Sequence, residues 1–212
     1  MIAIVDYGVG NLRSVQKALE RVGAQAIVSD DPAVLDAARG VILPGVGAFG
    51  DAMANLHSRE LLAPVLRQAG KRKPLLGICL GMQLLFDESE EMGHHPGLGL
   101  LPGRVVRFPE GKLKVPHIGW NQLRLPAATM TGEGLLEGIA PGAYAYFVHS
   151  YYAMPEHEAD VLATTEYGVA FASVVGRETV WGAQFHPEKS QEVGLRLLAN
   201  FCRLVAGEEG EA

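Results

Sequence analysis

The stretch Pro74-Leu-Leu-Gly-Ile-Cys79-Leu-Gly-Met-Gln83 decides the fold class. A short apolar run leads into Gly-Ile-Cys-Leu-Gly, and a helix-like run follows at once over Leu80–Phe86. This order predicts a strand, a sharp turn with the cysteine at its apex, and a helix. Small residues beside Cys79 permit the turn, and a helix N-terminus beneath a thiol favours the thiolate form. We therefore predict a reactive thiol at the end of a sheet strand.

Apolar and helical runs alternate around this stretch in the first half of the chain. Strands are predicted at Ile2–Val5, Ala26–Val28, Val41–Leu43 and Leu75–Ile78. Helices are predicted at Leu12–Val22 and Leu61–Ala69, where apolar residues recur at helical spacing. Such alternation is typical of βαβ units around a largely parallel sheet.

The second half is richer in β-like runs and has few helices between them. These runs are Val105–Phe108, Trp120–Leu125, Tyr144–Val148, Val161–Thr165, Phe171–Val175 and Val180–Phe185. An amphipathic helix over Ser190–Val205 closes the chain, and its apolar face predicts a core position for Cys202. We therefore predict one α/β domain over residues 1–212, with an open, largely parallel central sheet flanked by helices and additional antiparallel strands in the second half.

Composition excludes several functional classes. The 212 residues are 48% hydrophobic and 20% charged, and the net charge of −6 comes with no basic run, which argues against a nucleic-acid partner. Two cysteines are too few for a disulfide framework, so we expect a reducing, cytoplasmic environment. No run approaches about 18 apolar residues, so no membrane span is predicted.

A second chemistry-bearing segment is Trp181-Gly-Ala-Gln-Phe-His186-Pro-Glu188. In extended chain the side chains of His186 and Glu188 project to the same side, so the carboxylate can orient the imidazole. A base oriented in this way is what a cysteine nucleophile requires. The alternative interpretation is a turn leading into the last helix. The presence of Cys79 in a Gly-x-Cys-x-Gly turn favours the catalytic interpretation.

A glycine-rich loop, Leu43-Pro-Gly45-Val-Gly47-Ala-Phe-Gly50, follows another predicted strand. The amides of Val46 and Gly47 in this loop, with the amide of Leu80, are candidate donors of an oxyanion hole. The same glycines spell a dinucleotide-binding pattern. However, the pattern follows the third strand and no acidic residue closes a strand about 20 residues later, so nucleotide binding is disfavoured.

Two further histidine features have mainly structural interpretations. Adjacent His94 and His95 rarely converge on one ion, and no ligand spacing supports them, so we predict a solvated loop and no metal site. His149 lies among aromatic residues after a predicted strand. It is interpreted as either a core histidine or a pocket wall, and the local sequence does not decide between them.

Together these residues resemble the class I (triad) glutamine amidotransferases. The match rests on Gly77-Ile-Cys79-Leu-Gly-Met-Gln83 and on His186-Pro-Glu188, in the family's order. The resemblance implies hydrolysis of glutamine to glutamate and ammonia through a thioester on Cys79, with His186 and Glu188 completing the triad and no cofactor. It also implies that glutamine is bound by Gly45, Gln83, Glu91, His149 and Ser150.

Further segments resemble the glutaminase subunits of imidazole glycerol phosphate synthase. They are Asp6–Ser14, Pro44–Phe49, Gly119–Asn121 and Tyr146–Tyr151. This resemblance implies a separate (β/α)₈-barrel cyclase subunit that receives the ammonia and forms imidazole glycerol phosphate and aminoimidazole carboxamide ribonucleotide in histidine biosynthesis. It implies a heterodimer interface that includes Asn11, Trp120, Tyr146 and Lys189.

The resemblance also implies a glutaminase that is nearly idle without its partner's substrate. Gly45 and Gly47 can reorient the peptides beside Val46 at low steric cost. We therefore expect a resting loop that points a carbonyl, not an N–H, at the developing oxyanion.

Three alternatives remain open from the residues alone. One is the glutaminase subunit of another synthase, such as pyridoxal phosphate synthase, against which Gly10-Asn11 and Pro44–Gly47 argue. Another is a cysteine hydrolase of similar fold, which would not need Gln83 or the His-Pro-Glu ending. The last is a catalytically inactive binding module, against which the complete triad argues.

Overall fold

The computed structural model describes residues 1–111, 113–126 and 134–207. Within these ranges the strands are β1 Ile2–Val5, β2 Ala26–Ser29, β3 Gly40–Gly45, β4 Leu75–Cys79, β5 Phe86–Ser89, β6 His95–Pro96, β7 Leu101–Arg107, β8 His117–Gln122, β9 Tyr144–His149, β10 Tyr151–Pro155, β11 Val161–Glu166, β12 Ala170–Arg177 and β13 Val180–Ala183. The helices are α1 Leu12–Arg21, α2 Pro32–Ala37, α3 Phe49–Ser58, α4 Leu62–Gly70, α5 Leu80–Gln83 and α6 Gln191–Ala206. The single-domain prediction also covers residues outside the described ranges and stays a prediction.

A seven-stranded sheet organises the fold in the order β11-β12-β13-β4-β3-β1-β2. The five strands from β13 to β2 pair in parallel, and β12 and β11 continue the sheet antiparallel at one edge. The antiparallel pairing of β12 with β13 makes the segment between Val175 and Val180 a hairpin. The predicted α/β class, with extra antiparallel strands in the second half, is therefore confirmed.

Both faces of the central sheet are covered, and the strand residues alternate between them. Ile2 and Ile4 of β1 belong to the cluster that contains residues of α1 and α6. Ala3 and Val5 belong to the opposite cluster, with residues of α2, α3 and α4. Because successive side chains of a strand point to opposite faces, four apolar residues in a row supply two cores at once.

Two smaller β-structures complete the molecule. One is a four-stranded sheet in the order β10-β7-β5-β6, and the other is the antiparallel ribbon of β8 and β9. Ser150 alone separates β9 from β10, so the chain passes from the ribbon into the four-stranded sheet within one residue. This crossing lies beside the end of β4 and forms part of the candidate site.

The predicted helix over Leu80–Phe86 is wrong in its second half. The helix ends at Gln83, and Phe86 begins β5. The carbonyls of Leu84 and Phe86 accept bonds from the amides of Leu98 and Gly99, at 2.8 and 3.2 Å. These long-range partners replace the bonds that a continued helix would have made.

Other differences concern boundaries, the strands β6 and β10, and two helices, none of which was predicted. The strand expected over Trp120–Leu125 begins earlier and runs from His117 to Gln122, and β13 ends at Ala183 rather than Phe185. Helices α2 and α3 were missed. The signal for α2 was present, because Asp31 caps it with a bond from the Ala33 amide at 2.8 Å, just before a proline at the first helical position.

The two cysteines have different environments. Cys202 on α6 is half-buried and packs against the core, where burial raises its pKa to about 11. Both cysteines are free thiols. In the part of the chain that the structure describes, no helix is long and apolar enough to cross a membrane.

Candidate active site

Cys79 ends β4 at the carboxyl edge of the central sheet, where the chain turns sharply. Its backbone has φ 56° and ψ −111°, a left-handed conformation that is unfavourable for a residue with a side chain. The neighbouring glycines make the turn possible. A Cβ on Gly81 would lie 1.8 Å from the Leu43 carbonyl oxygen, and one on Gly77 would lie 2.5 Å from the Gly81 carbonyl oxygen. The sharp turn predicted at Cys79 is therefore present, and it depends on two positions that have no room for a side chain.

His186 and Glu188 are in contact and almost fully buried. His186 Nδ1 lies 2.9 Å from Glu188 Oε1, and the two side chains are 3% and 1% exposed. Glu188 reaches this position from a 3₁₀ turn over Pro187–Lys189 rather than from extended chain. The two interpretations of the segment were therefore not exclusive, because the turn into the last helix is also what presents the carboxylate.

The charge state of His186 follows from its neighbours. Burial acts to lower its pKa, but the nearby Cys79 and the bond to Glu188 outweigh burial and raise the pKa to about 10. Nε2 is buried and has no hydrogen-bond partner among the described residues, so it is the ring atom available to the thiol. An imidazolium beside a thiol favours the thiolate.

The backbone of His186 is anchored to β9. Its amide donates to the Tyr146 carbonyl at 3.0 Å, while the Ser190 hydroxyl donates to the His186 carbonyl at 2.7 Å and accepts from the Tyr146 amide at 2.9 Å. Ser190 thereby holds the His186 segment against β9.

The glycine-rich loop leaves β3 next to Cys79. Gly45 pairs with Cys79 in the parallel register of β3 and β4. Gly47 follows with φ 99°, and Phe49 begins α3. The Phe49 amide donates to Glu91 Oε2 at 2.7 Å, so a predicted glutamine-binding carboxylate also caps the helix that ends the loop.

A cavity of about 340 Å³ joins these parts. It is lined by most of the predicted residues: Val46, Gly47, Cys79, Leu80, Gln83, Glu91, His149, Ser150 and His186. Gly45 and Glu188 are not among its lining residues, since Gly45 lies beside Cys79 in the sheet and Glu188 holds the far side of the His186 ring. The volume suits a ligand the size of a free amino acid.

Sequence reasoning missed several residues of this site. Gln83 Nε2 donates to the Tyr151 carbonyl at 2.9 Å and to Gln184 Oε1 at 3.0 Å. Gln184 Nε2 in turn lies 3.8 Å from Cys79 Sγ. A signal for Gln184 existed, because it precedes His186 by two residues at the end of a strand. Pro116, Val148 and Tyr151 also line the cavity.

Tyr7 lies behind Cys79 and the glycine-rich loop. Its hydroxyl is fully buried and donates to the Pro44 carbonyl at 2.6 Å. Burial, together with the charge of Cys79, raises the Tyr7 pKa far above its usual range, so the phenol stays protonated.

The structure answers the question left open for His149. The ring is buried against Phe108 and Phe171, with centroids 5.2 and 5.1 Å away, and it also lines the cavity. It is both a core histidine and a pocket wall.

The adjacent histidines differ from the predicted loop. His94 is exposed and lies 2.6 Å from Glu88 Oε2. His95 belongs to β6 and pairs with Ser89, so this half of the loop prediction is wrong.

Three of the four predicted interface residues form one cluster near His186. The rings of Trp120 and Tyr146 lie 6.0 Å apart, and Lys189 Nζ lies 5.8 Å from the Tyr146 ring centroid. Trp120 is 45% exposed. Asn11 does not belong to this cluster. It lies immediately before α1, where its side-chain oxygen accepts a bond from the Ser14 hydroxyl at 2.8 Å.

The sequence matches the family described as glutamine amidotransferase class-I over residues 3–205. The chain belongs to the class I glutamine amidotransferases. Among curated relatives, "Imidazole glycerol phosphate synthase subunit HisH" of Desulfitobacterium hafniense is 56% identical, covering 97% of this chain and 95% of the relative. The protein of the same name from Moorella thermoacetica is also 56% identical, covering 99% and 98%.

Solved structures agree with this assignment at the level of the fold. A crystal structure of a glutamine amidotransferase has a TM-score of 0.75 at 21% identity and covers 97% of this chain and 98% of its own. The PurLQS structure from Thermotoga maritima has a TM-score of 0.72 at 20% identity, with 96% and 97% covered. Within the amidotransferase family, the curated relatives place the chain with the HisH subunits, and it is therefore a glutaminase subunit.

Proposed function

We propose that Cys79 is the nucleophile that releases ammonia from glutamine, and that His186 and Glu188 are its base and orienting carboxylate. One observation carries the proposal. The strained turn at Cys79, the buried His186–Glu188 pair and the glycine-rich loop meet around a single cavity. As a HisH subunit, the chain serves imidazole glycerol phosphate synthase in histidine biosynthesis.

The chemistry begins with the Cys79 thiolate attacking the side-chain carbonyl carbon of glutamine. The negative charge that develops on the carbonyl oxygen would be stabilised by the amides of Leu80 and of Val46 or Gly47. His186 then donates a proton to the nitrogen as ammonia leaves, which produces the thioester on Cys79. His186 next accepts a proton from the water that hydrolyses the thioester to glutamate.

Glutamine recognition would use the polar groups at the other end of the cavity. Both N–H groups of the Gln83 amide donate, one to the Tyr151 carbonyl and one to Gln184 Oε1. Its Oε1 is then left to accept a bond from the ammonium group of the substrate. Glu91 lines the same cavity and adds a negative charge for that ammonium group. Ser150 and His149 supply the remaining wall.

The ammonia would be consumed on a separate (β/α)₈-barrel cyclase subunit, because the curated relatives are named as subunits of a synthase. We propose that the partner covers the cluster of Trp120, Tyr146 and Lys189, with Asn11 at its margin. Tyr146 accepts the His186 amide bond, so contact with this cluster would reach the base directly. The free Cys79 thiol suits a reducing cytoplasm.

Replacement of the nucleophile tests the proposal. Cys79→Ala should abolish glutamine-dependent synthesis by the complex with the cyclase, while synthesis from ammonium salts continues, because the cyclase would take ammonia from solution. Cys202→Ala is the matched control and should leave both activities intact. Loss of both activities in Cys79→Ala would indicate a structural role, and loss of neither would remove Cys79 from the mechanism.

A further inference from the structure

A buried histidine behind the cavity has no role in the proposed chemistry. His117, at the start of β8, is 3% exposed. Its ring is stacked between Tyr167 and Phe147, with centroids 4.0 and 5.0 Å away. Yet both of its nitrogens have polar partners, which packing alone would not require.

The partners of His117 determine which ring atoms carry protons. His149 Nδ1 lies 2.8 Å from the Tyr151 carbonyl, which can only accept, so Nδ1 must donate. In a neutral ring His149 Nε2 then accepts, and the atom facing it at 3.2 Å is His117 Nδ1. His117 Nδ1 is therefore a donor and Nε2 an acceptor, which the side-chain amide of Asn121 meets at 3.3 Å.

The environment keeps both rings neutral, as this pattern requires. Burial lowers the pKa of His117 to about 4. For His149 burial is again the main cause; the bond to the Tyr151 carbonyl opposes it, the nearby His117 and His186 add to it, and the pKa is about 3. Each ring thus holds one proton at neutral pH, and each has one donor and one acceptor to use.

The same series of bonds continues to the nucleophile. The Tyr151 carbonyl that accepts from His149 also accepts from Gln83 Nε2 at 2.9 Å. Gln83 Nε2 donates to Gln184 Oε1, and Gln184 Nε2 donates to Cys79 Sγ at 3.8 Å. The series ends on the sulfur.

We propose that Asn121, His117, His149, Gln83 and Gln184 form one hydrogen-bonded positioning chain, which runs from the ribbon strand β8 to the Cys79 sulfur. It holds the Gln83 amide and the Gln184 amide in the orientations that substrate binding and the thiolate need. The inference rests on the proposed role of Cys79 as nucleophile. Asn121 follows the exposed Trp120, so the chain also connects the proposed partner face to the glutamine pocket.

The first test needs no substitution. The ¹⁵N shifts of the histidine rings in the wild-type chain at pH 7 report which nitrogen carries the proton. We expect His117 and His149 to be neutral and protonated on Nδ1. Protonation of either ring on Nε2, or on both nitrogens, would contradict the proposed series of hydrogen bonds.

The second test separates hydrogen bonding from packing. His117→Phe keeps the ring between Phe147 and Tyr167 but removes both nitrogens. In a Cys202→Ala background we expect alkylation of Cys79 by iodoacetamide and glutaminase kcat/KM to fall about tenfold, the size of one lost buried hydrogen bond. The glutamine KM should rise, since the Gln83 amide loses its support, and ammonium-dependent synthesis should not change.

Two variants calibrate this result. His117→Asn retains an N–H donor near the position of Nδ1 and should restore most of the lost rate, although it lacks the stacked ring. Tyr167→Phe removes a hydrogen bond to the Lys114 carbonyl from the same aromatic cluster and should behave as wild type. Equal loss in His117→Phe and His117→Asn, or no loss in His117→Phe, would contradict the proposal.

The outcome is independent of the test of Cys79 itself. If Cys79→Ala is inactive with glutamine while His117→Phe matches wild type, the positioning chain is wrong and the proposed function stands. If Cys79→Ala keeps its glutaminase activity, the proposed function is wrong, whatever His117 does.

Discussion

The two walls of the cavity are held in place by different forces. The wall built from the ends of β3 and β4 is shaped by backbone sterics. The backbone at Gly81 lies so close to Leu43 that only glycine fits there, and Cys79 has a strained backbone conformation. The opposite wall, from β9, β10 and the segment after β13, is held by side-chain bonds such as His186–Glu188 and Gln83–Gln184. Cys79 is thus positioned by backbone sterics, whereas His186 and Gln184 are positioned by polar contacts.

This difference indicates how each wall should fail. A steric wall tolerates no added atom, and a misfit there disturbs the sheet around it. A hydrogen-bonded wall can lose a contact and keep its shape, while the charge or tautomer that the contact controlled is lost. Substitutions in the first wall should therefore reduce stability and activity together. Substitutions in the second wall should reduce activity more than stability.

The largest effect is expected from Gly81→Ala. The added Cβ would meet the Leu43 carbonyl oxygen at 1.8 Å, so the turn and β3 must separate. We expect the free energy of unfolding to fall by about 3 kcal/mol or more and glutaminase activity to be lost, as measured by urea denaturation and a glutamate assay. Gly70→Ala, where a Cβ meets nothing within 4 Å, is the control and should change stability by less than about 1 kcal/mol. A stable, active Gly81→Ala protein would contradict the steric account.

Glu188→Gln should have the next largest effect, on activity first. Without the carboxylate the pKa of His186 should fall from about 10 towards 6.5. We expect kcat to fall about a hundredfold or more, because the ring loses its orienting charge. NMR titration of His186 and glutaminase assays measure the two effects. Glu166→Gln removes an exposed carboxylate paired with Arg124 and should change neither.

The same substitution makes a prediction about stability and pH. A His pKa that folding raises stabilises the folded state fully below about pH 6.5, and this contribution is lost as pH rises through about 10. Unfolding experiments across that window should therefore show a smaller decline in Glu188→Gln than in wild type. An equal decline would indicate that another group causes it.

Tyr7→Phe should give the smallest effect and tests whether the steric wall also depends on a hydrogen bond. The variant leaves the Pro44 carbonyl without the hydroxyl donor it has at 2.6 Å. We expect a loss of about 1–2 kcal/mol in the free energy of unfolding, with a modest loss of activity through the adjoining loop. Tyr144→Phe, at a 53% exposed position, is the control. An unchanged stability in Tyr7→Phe would show that sterics alone hold this wall.

Features set by neighbouring residues could be predicted from the sequence, whereas features set by distant residues could not. The Cys79 turn was predictable because residues next to it in the sequence create it. The contact between His186 and Glu188 was predictable because Glu188 follows only two residues after His186. The end of α5 could not be predicted, because the carbonyls of Leu84 and Phe86 accept hydrogen bonds from the amides of residues 98 and 99, which are more distant in the sequence. Gln184 escaped notice because its partners, Gln83 and Cys79, lie about a hundred residues away in the chain.

The sequence by itself determined the α/β class, the strained thiol and the paired base, because each depends on neighbours along the chain. The tertiary structure alone decided what surrounds the thiol. The parallel register brings Gly45 beside Cys79, and the passage from β9 to β10 carries His149 to the same cavity. Pairing between distant strands sets these contacts, and it depends on packing across the whole sheet rather than on any local pattern.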